Sequence, residues 1–347
     1  MRAHEMTTKD VTVAQHGWIV AHALRARDGS RFLRKGGVLD RDVLDRWEDV
    51  EPGVIHVIEP QEGDLHEDEA GRLLANAVSG EGIRVKGPTQ SRYNLVATRK
   101  GLLRVEPGVI REINRIDGLT VFTLLDRQPV LSGKIVAGIK TTPITVPVEN
   151  VERATALVNS ADRAPLEVLP FQRKRVAVLA TEGLNDRMRT RFRESVEKKI
   201  HWYGSEVIDV RFISSDRDEI ARTFRDFLDA GADILMAAGG NTIDPLDPIL
   251  LALPEIDAEM IHFGAPAHPG SMFWLAQTGE VPVFNLASCS MYSRATVADL
   301  ILPLVMTGEG ATREDILDLG YGGLLERDMA FRFPDYDADI SSEEDDE

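Results

Sequence analysis

The feature that most restricts the fold of this chain is a regular alternation of strand-like and helix-like segments between residues 174 and 306. Lys174–Ala180 is a short apolar run with β-branched residues, which is typical of a buried parallel strand. Asn185–Tyr203 has an apolar residue at every fourth position, which predicts an amphipathic helix, and Gly204 follows as a helix-ending glycine. The apolar positions of this helix are Met188, Phe192, Val196 and Ile200.

The same alternation continues toward the C-terminus. Further strands are predicted at Glu206–Ile213, Asp233–Ala238, Glu259–Phe263 and Val281–Leu286. Further helices are predicted from Asp216 onward, at Asp247–Ala252 and at Ser293–Met306. This order predicts an α/β domain at residues 172–330, with a parallel sheet and helices on both of its faces.

The first half of the chain lacks this alternation of strands and helices and consists mostly of short β-like runs. They lie at Trp18–Ala21, Val54–Ile58, Ile83–Val85, Tyr93–Thr98, Leu102–Val105, Val121–Leu125 and Lys134–Ile139. Only Glu67–Val78 and Pro107–Ile116 have the pattern of helices. We therefore predict a smaller β-rich α+β region of one or two modules at residues 1–150, and a connector at residues 151–171.

Charge and composition argue against several classes of partner. The chain of 347 residues has a formal net charge of -17, and eight acidic residues without a basic one lie from Asp335 to Glu347. Residues 331–347 are therefore predicted to be a disordered acidic tail. The remainder is also acidic, which disfavours nucleic acid because phosphate backbones bind basic surfaces. No apolar run approaches the roughly 20 residues of a membrane helix, so we predict a cytoplasmic protein with no membrane partner.

Two further segments favour structural interpretations. Cys289 is the only cysteine, so neither an intrachain disulfide nor a cysteine metal cluster can form. No paired base is evident for it, and a small buried residue is predicted there rather than a nucleophile. His66–Glu69 joins one histidine to three acids, but the four are consecutive rather than spaced on one helix face. A charged helix start is predicted there rather than a metal site.

Four loops of the predicted α/β domain follow strand-like segments. In an open α/β sheet, ligands bind beyond the carboxyl ends of the strands. The loops are Thr181-Glu182-Gly183, Gly239–Asp247, Gly264–Ser271 and Asn285–Ser290. Ordinary turn or capping chemistry could explain each loop by itself. Their convergence on one edge of the sheet is what predicts a ligand site.

The second of these loops has the most informative chemistry. Gly239 and Gly240 allow close approach of the backbone to a ligand, and amides at the next helix start can receive phosphate oxygens. Polar side chains follow at Asn241, Thr242 and Asp244. The Asp247 carboxylate could hold Mg²⁺ or accept hydrogen bonds from a polar heterocycle.

The other loops contribute the remaining candidate contacts. His268 could titrate near neutrality or contact a phosphate, within the turn sequence His268-Pro269-Gly270-Ser271. The small residues Ala287 and Ser288 would leave backbone amides accessible in the last loop.

The order TEG, GGNTIDPLD, HFGAPAHPGSM and VPVFNLASCS resembles the molybdopterin-binding domain family over about residues 172–325. That family includes molybdopterin molybdenumtransferase, molybdopterin adenylyltransferase and domains attached to cofactor nucleotidyltransferases. The most specific element is the glycine pair with an acid eight residues after its first glycine, from Gly239 to Asp247. The segments LRKGGVL (Leu33–Leu39), HEDEAGRLLA (His66–Ala75), GLLRVEPGVIREIN (Gly101–Asn114) and YGGLL (Tyr321–Leu325) are similar to the nucleotidyltransferase-attached subgroup.

The resemblance implies binding of molybdopterin or molybdenum cofactor in cofactor biosynthesis or handling. It also implies a homo-oligomer, with a molybdoenzyme or another protein of the pathway as a further partner. The residues that would bind the pterin are Thr181, Glu182, Gly183, Gly239, Gly240, Asn241, Thr242, Asp244, Asp247, His268, Pro269, Gly270, Ser271, Ala287 and Ser288, with Asp247 also a candidate for Mg²⁺.

Departures from the family pattern favour a protein that binds the pterin over an enzyme that catalyses a transfer to it. In the transferases, the first loop contains an acid that helps to bind metal or nucleotide, whereas Glu182-Gly183 in this chain does not match the usual position of that acid. In the last loop, Leu286–Cys289 replaces the usual Leu-Pro-Gly-Asn or Leu-Pro-Gly-Cys. His268 and Ser271 stand where the molybdenumtransferase has lysines, which weakens the case for tight phosphate binding and metal insertion. A Mg-dependent adenylyl- or molybdenumtransferase remains an alternative, as does a nucleotide hydrolase of related fold.

Overall fold

The computed structural model describes residues 1–181, 183–240, 244–286 and 296–337. The chain divides into two compact units. The first contains Met1–Thr98, Arg104–Asp126 and Gly133–Val168, and the second contains Arg99–Leu103, Arg127–Ser132 and the described part of Leu169–Glu347. Within the described ranges, no helix is both long and apolar enough to cross a membrane.

The first half of the chain is built mainly from short strands. They are β1 (Arg2–Thr7), β2 (Ile19–Val20), β3 (Leu24–Arg25), β4 (Arg31–Leu33), β5 (Val54–Glu59), β6 (Asp64–His66), β7 (Ile83–Thr89), β8 (Arg92–Ala97), β9 (Gly101–Val105), β10 (Leu119–Thr123), β11 (Gln128–Val130), β12 (Ile135–Thr141), β13 (Thr145–Pro147) and β14 (Leu166–Pro170). The helices are α1 (Arg41–Asp45), α2 (Glu67–Val78), α3 (Pro107–Asn114) and α4 (Val148–Asn159). Each β-like run predicted here overlaps a strand, and both predicted helices form.

Small antiparallel sheets organise the first unit. One sheet has the order β1-β5-β2 and another the order β10-β12-β8-β7, while β13 pairs with β6 and β3 with β4. Helix α2 packs against α4 and β12. The buried face of α2 beyond its first residue consists of Ala70, Gly71, Leu74, Ala75 and Val78.

The segment from residue 151 to residue 171, predicted as a connector, contains most of α4 and all of β14. The sequence signal for α4 is weak because only Val151 and Ala154 of this helix are buried. Such a narrow apolar stripe gives little helical periodicity.

The second half of the chain alternates strands and helices. The strands are β15 (Arg175–Ala180), β16 (Glu206–Phe212), β17 (Ile234–Ala238), β18 (Glu259–Phe263), β19 (Trp274–Thr278) and β20 (Val281–Leu286). The helices are α5 (Asp186–Trp202), α6 (Arg217–Asp229), α7 (Pro248–Ala252), α8 (Val297–Thr307) and α9 (Arg313–Leu317). The predicted strands and helices of this half are therefore present, although residues 293–295 of the last predicted helix lie outside the described residues.

The large sheet of the second unit has the order β16-β15-β17-β20-β19-β18. Its first four strands are parallel, whereas β19 is antiparallel to both of its neighbours. The predicted parallel sheet is therefore present in its first four strands, and the arrangement departs from it at β19. This strand joins β20 through the two-residue turn Gly279-Glu280, and a hairpin of this kind requires no helical crossover.

Helices cover both faces of this sheet, as predicted. On β15, Val176, Val178 and Ala180 pack in one buried cluster with α5 and α8. The alternate residues Ala177 and Leu179 pack in a second cluster with α6 and α7. Because successive side chains of a strand point to opposite faces, one short apolar strand contributes to both cores.

Candidate functional site

The carboxyl ends of the parallel strands bring the candidate loops to one edge of the sheet. Ala180 lies opposite Ala238, and Ala238 lies opposite Leu286, so β15, β17 and β20 end side by side. Phe263 at the end of β18 pairs with Trp274 at the start of β19. The connection between these two residues therefore leaves the sheet at the same edge.

The first loop begins immediately beside the second. The backbone N–H of Thr181 donates a hydrogen bond to the carbonyl of Ala238, at 2.9 Å. Gly183 is exposed, and Glu182 lies outside the described residues. The sheet thus holds the start of the TEG sequence next to the glycine pair that follows β17.

The glycine pair is packed against the predicted key carboxylate. Gly239 and Gly240 both have positive φ, at 102° and 82°. A Cβ atom at Gly240 would lie 2.7 Å from Oδ2 and 2.9 Å from Oδ1 of Asp247, which is closer than a real Cβ approaches another atom. Position 240 therefore requires glycine both for its backbone conformation and for its contact with Asp247.

Asp247 also begins helix α7. Its side chain is only 5% exposed, and its Oδ1 accepts a hydrogen bond from the backbone N–H of Ile249, at 2.9 Å. The side chain of Asp244 does not cap this helix: its Oδ1 accepts from the N–H of Leu246, and its carbonyl accepts from the N–H of Asp247. The two acids therefore stabilise successive turns of one loop, and Asp247 is the helix cap.

Backbone hydrogen bonds close the loop after β18. The N–H of Gly264 donates to the carbonyl of Phe273, at 2.8 Å, and the N–H of Ala265 donates to the carbonyl of Ser271, at 2.9 Å. Gly270 is buried with φ of 112°, and a Cβ atom there would lie 2.8 Å from the backbone nitrogen of Val297. This glycine permits the close approach of the loop to the start of α8.

His268 has a fixed backbone and an exposed side chain. Its N–H donates to the carbonyl of Gly323, at 2.7 Å, and its own carbonyl accepts from the N–H of Leu325, at 2.8 Å. Pro269 is partly buried, whereas the side chains of His268 and Ser271 are exposed. The YGGLL segment therefore holds the backbone of this loop while two polar side chains remain accessible.

Asn285 is a positioning residue that sequence reasoning did not single out. It is 3% exposed; its Oδ1 accepts from the N–H of Trp274, at 2.8 Å, and its Nδ2 donates to the carbonyl of Met272, at 2.9 Å. One side chain thus ties the end of β20 to the end of the neighbouring loop. The available signal was an amide residue within the otherwise apolar run Val281–Leu286.

The structure brings most of the predicted residues to this edge. Those placed there are Thr181, Gly183, Gly239, Gly240, Asp244, Asp247, His268, Pro269, Gly270 and Ser271. The predicted positions that lie outside the described residues are Glu182, Asn241, Thr242, Ala287, Ser288 and Cys289. Across the ranges that are described, no group of three or more His, Cys, Asp or Glu side chains is positioned to hold a metal ion.

A buried ionic network lies at the start of α8. Asp299 is 2% exposed; its Oδ1 lies 2.7 Å from Nζ of Lys199 and accepts from the hydroxyl of Tyr336, at 3.0 Å. Its Oδ2 accepts from the hydroxyl of Thr296, at 2.9 Å. Sequence spacing could not reveal this group, because its members come from distant parts of the chain.

Two tyrosines of this region have perturbed pKa values. Burial raises the pKa of Tyr336 well above its ordinary value, and the nearby Tyr203 and Asp299 act in the same direction. Burial likewise raises the pKa of Tyr203. A small, mostly apolar pocket beside Lys199 and Asp299 is lined further by Val196, Ile200, Met236, Phe284, Leu286, Ala298 and Leu302.

No protein-family model and no curated protein matches the chain. Among solved structures, it is similar to a MoeA molybdopterin biosynthesis protein from Pyrococcus horikoshii, with 12% identity and a TM-score of 0.30 over 71% of this chain and 79% of that one.

Two smaller proteins are similar to a shorter part of the chain. The molybdopterin biosynthesis enzyme MoaB from Thermus thermophilus has 17% identity and a TM-score of 0.29, over 40% of this chain and 98% of that one. The molybdopterin biosynthesis Mog protein from Mycobacterium ulcerans has 13% identity and a TM-score of 0.27, over 35% of this chain and 88% of that one.

Proposed function

We propose that this chain binds molybdopterin or molybdenum cofactor, in the biosynthesis or handling of that cofactor, at the carboxyl edge of the large sheet. The observation that carries the proposal is the convergence of the motif-bearing loops. The Gly239–Asp247 and Gly264–Ser271 loops both resemble the molybdopterin-binding pattern, and both leave the sheet at this edge. Ligands of open α/β sheets bind in that position.

The chemistry of the loops fits such a ligand. A pterin offers ring N–H and amino donors together with a phosphate, so its site needs acceptors at one end and donors at the other. Carboxylates of Asp244 and Asp247 supply acceptors on one loop, and the exposed side chains of His268 and Ser271 supply donors on another. In this proposal Asp247 also remains the candidate for a Mg²⁺ ion, with water completing the coordination.

Binding is proposed ahead of transfer because the loops lack the groups that transfer would use. The exposed side chain directly before the Pro-Gly turn is the imidazole of His268 rather than a lysine ammonium, and Asp247 already serves as a helix cap. In the proposed complex, the backbone of the glycine loops orients the ligand, and its phosphate lies near His268.

The direct test is a fluorescence titration of the purified chain with molybdopterin under anaerobic conditions. Wild type should bind saturably. Gly240→Ala should weaken binding by about tenfold or more, because its methyl group would displace the Asp247 carboxylate and the loop with it. Asp247→Ala should weaken binding by a similar factor.

Two variants provide matched controls. Gly204→Ala also places a side chain at positive φ, but no atom lies within 4 Å of its Cβ position. Asp216→Ala removes the cap of α6, where the carboxylate accepts from the N–H of Glu219, without touching the glycine pair. Equal affinities for the site variants and their controls would contradict the site, and product formed from ATP or molybdate would establish a transferase instead.

The family resemblance also leads us to propose a homo-oligomer. Light scattering during size-exclusion chromatography should give a mass that is a multiple of the 38.4 kDa chain. A single chain mass at micromolar concentration would exclude a stable oligomer.

A further inference from the structure

In the first unit, the N-terminus of α2 contains a buried carboxylate with an unsatisfied oxygen. Glu67, the first residue of this helix, is 3% exposed, although the sequence predicts a charged helix start. Within the described part of the chain, its Oε1 is fully buried and has no hydrogen-bond partner. A buried acceptor without a partner costs free energy, and the cost is largest when the group is ionised.

Three other buried oxygens without partners belong to the same part of the first unit. They are Oδ1 of Asp68 and the hydroxyls of Thr141 and Thr145. The strand pairing places Thr145 opposite His66, directly before Glu67. Thr141 lies beside α2 one turn later, with its Oγ1 3.7 Å from the Cβ position of Gly71. Four of the five buried side-chain oxygens without a partner in the described ranges therefore belong to the first turn of α2 or to the strands beside this helix.

The neighbouring histidine makes its hydrogen bonds to backbone groups. Nδ1 of His66 accepts from the backbone N–H of Asp68, at 3.1 Å, so the ring proton is on Nε2. Nε2 then donates to the carbonyl of Gly36, at 2.8 Å. Both ring nitrogens of His66 therefore have backbone partners, and neither forms a hydrogen bond with Oε1 of Glu67.

Arg34 pairs with one oxygen of Asp68. Its Nη2 lies 3.0 Å from Oδ2, and 63% of the arginine side chain is exposed. Oδ1 of Asp68 is buried without a hydrogen-bond partner. Arg34 therefore satisfies Oδ2 of Asp68 and provides no hydrogen bond to Oε1 of Glu67.

A fixed loop covers Glu67 closely. Gly36 is buried with φ of 75°, and a Cβ atom there would lie 2.7 Å from Oε1 of Glu67. The loop is held by hydrogen bonds from the N–H of Gly36 to the carbonyl of Val20 and from the N–H of Val20 to the carbonyl of Gly37. This close cover leaves no space for a bulky organic ligand beside Oε1 of Glu67.

We propose that this cluster binds a hard divalent cation of the Mg²⁺ or Ca²⁺ class. Its donors are Oε1 of Glu67 and the hydroxyls of Thr141 and Thr145, assisted by Asp68. Oxygen donors without sulfur or a free imidazole nitrogen select hard cations over zinc or copper. The cation would neutralise Glu67 and join β12 and β13 to α2. The proposal is independent of pterin binding by the second unit.

The test compares metal-free and metal-loaded protein without any pterin. The chain is dialysed against EDTA, and then Mg²⁺ and Ca²⁺ are titrated separately by calorimetry, with the thermal unfolding midpoint recorded at each concentration. Wild type should bind about one equivalent and gain in melting temperature, because a ligand specific for the folded state stabilises it. Glu67→Gln should weaken binding by about tenfold or more and abolish the thermal gain.

Glu69→Gln is the matched control, because Glu69 lies in the same helical turn but is exposed. Its affinity for the cation should equal that of wild type. If Glu67→Gln does not fold, Thr145→Val provides the second variant and should also weaken binding. No saturable binding by wild type, or equal affinities in all variants, would overturn the proposal. The partners of the four oxygens would then be ordered water molecules.

Discussion

Two regions of the molecule satisfy their buried polar side chains differently. At the edge of the large sheet and the start of α8, the buried residues Asp247, Asn285 and Asp299 each accept or donate hydrogen bonds within the second unit. At the start of α2 in the first unit, buried oxygens of Glu67 and Thr145 have no partner among the described residues. The first of these regions is thus organised by the chain itself, whereas the second is the region for which we propose an added cation. Removing a polar side chain should therefore cost more stability in the first region than in the second.

The largest effect is expected at the buried ion pair of the second unit. Lys199→Met would leave the Asp299 carboxylate buried without its ammonium partner, and should lower the free energy of unfolding by about 3 kcal/mol. Lys198→Met is the control, because the Lys198–Asp337 pair is about half exposed and such pairs contribute little. Urea unfolding measures both changes, and equal losses would show that burial does not distinguish the pairs.

An alkaline pH dependence is expected from the buried tyrosines. Their pKa values are higher in the folded state than in the unfolded state, so their contribution to stability is complete below about pH 10 and decreases as the pH rises further. The expected slope is about 1.4 kcal/mol per pH unit for each tyrosine. In the Tyr203→Phe/Tyr336→Phe double variant, the free energy of unfolding in urea should decrease less steeply with pH between pH 9 and about pH 11.

Tyr321→Phe is the control for this pH dependence, because Tyr321 is 99% exposed. Its profile should match that of wild type. An unchanged slope in the double variant would show that other groups cause the alkaline loss.

The smallest effect is expected in the first unit without metal. Thr145→Val replaces a buried hydroxyl that has no partner by an apolar group of similar shape, so stability in EDTA should change by less than about 1 kcal/mol. Asn285→Ala in the second unit should cost about 2 kcal/mol, because it removes a buried hydrogen bond from the N–H of Trp274 and a partly buried one to the carbonyl of Met272. A larger loss for Thr145→Val than for Asn285→Ala would reverse the contrast between the start of α2 and the edge of the large sheet.

The fold of the second unit was largely predictable because its signals are local. Apolar runs and helical periodicity located β15, β17 and α5 within one or two residues. Strand β19 was missed, because a hairpin strand of five residues between a glycine-rich loop and a short turn adds no new periodicity. The four loops could be placed on one edge because that placement follows from the strand order alone.

The contacts inside the site could not be predicted in the same way. The Asp299 network joins residues 100 and 37 positions away, at Lys199 and Tyr336, and no spacing rule connects them. The helix start at Glu67 was predicted correctly, but its burial was not. A sequence shows that a side chain is charged, whereas the packing of Gly36 against it depends on tertiary structure.

The contact between Gly240 and Asp247 has a consequence for natural variation. Because a methyl group at position 240 would overlap the carboxylate at position 247, the two positions cannot vary independently. We expect a homologue with a larger residue at 240 to carry a shorter or uncharged residue at 247. The pair should then appear as a coupled substitution in an alignment, and ancestral reconstruction should place the change at 247 first.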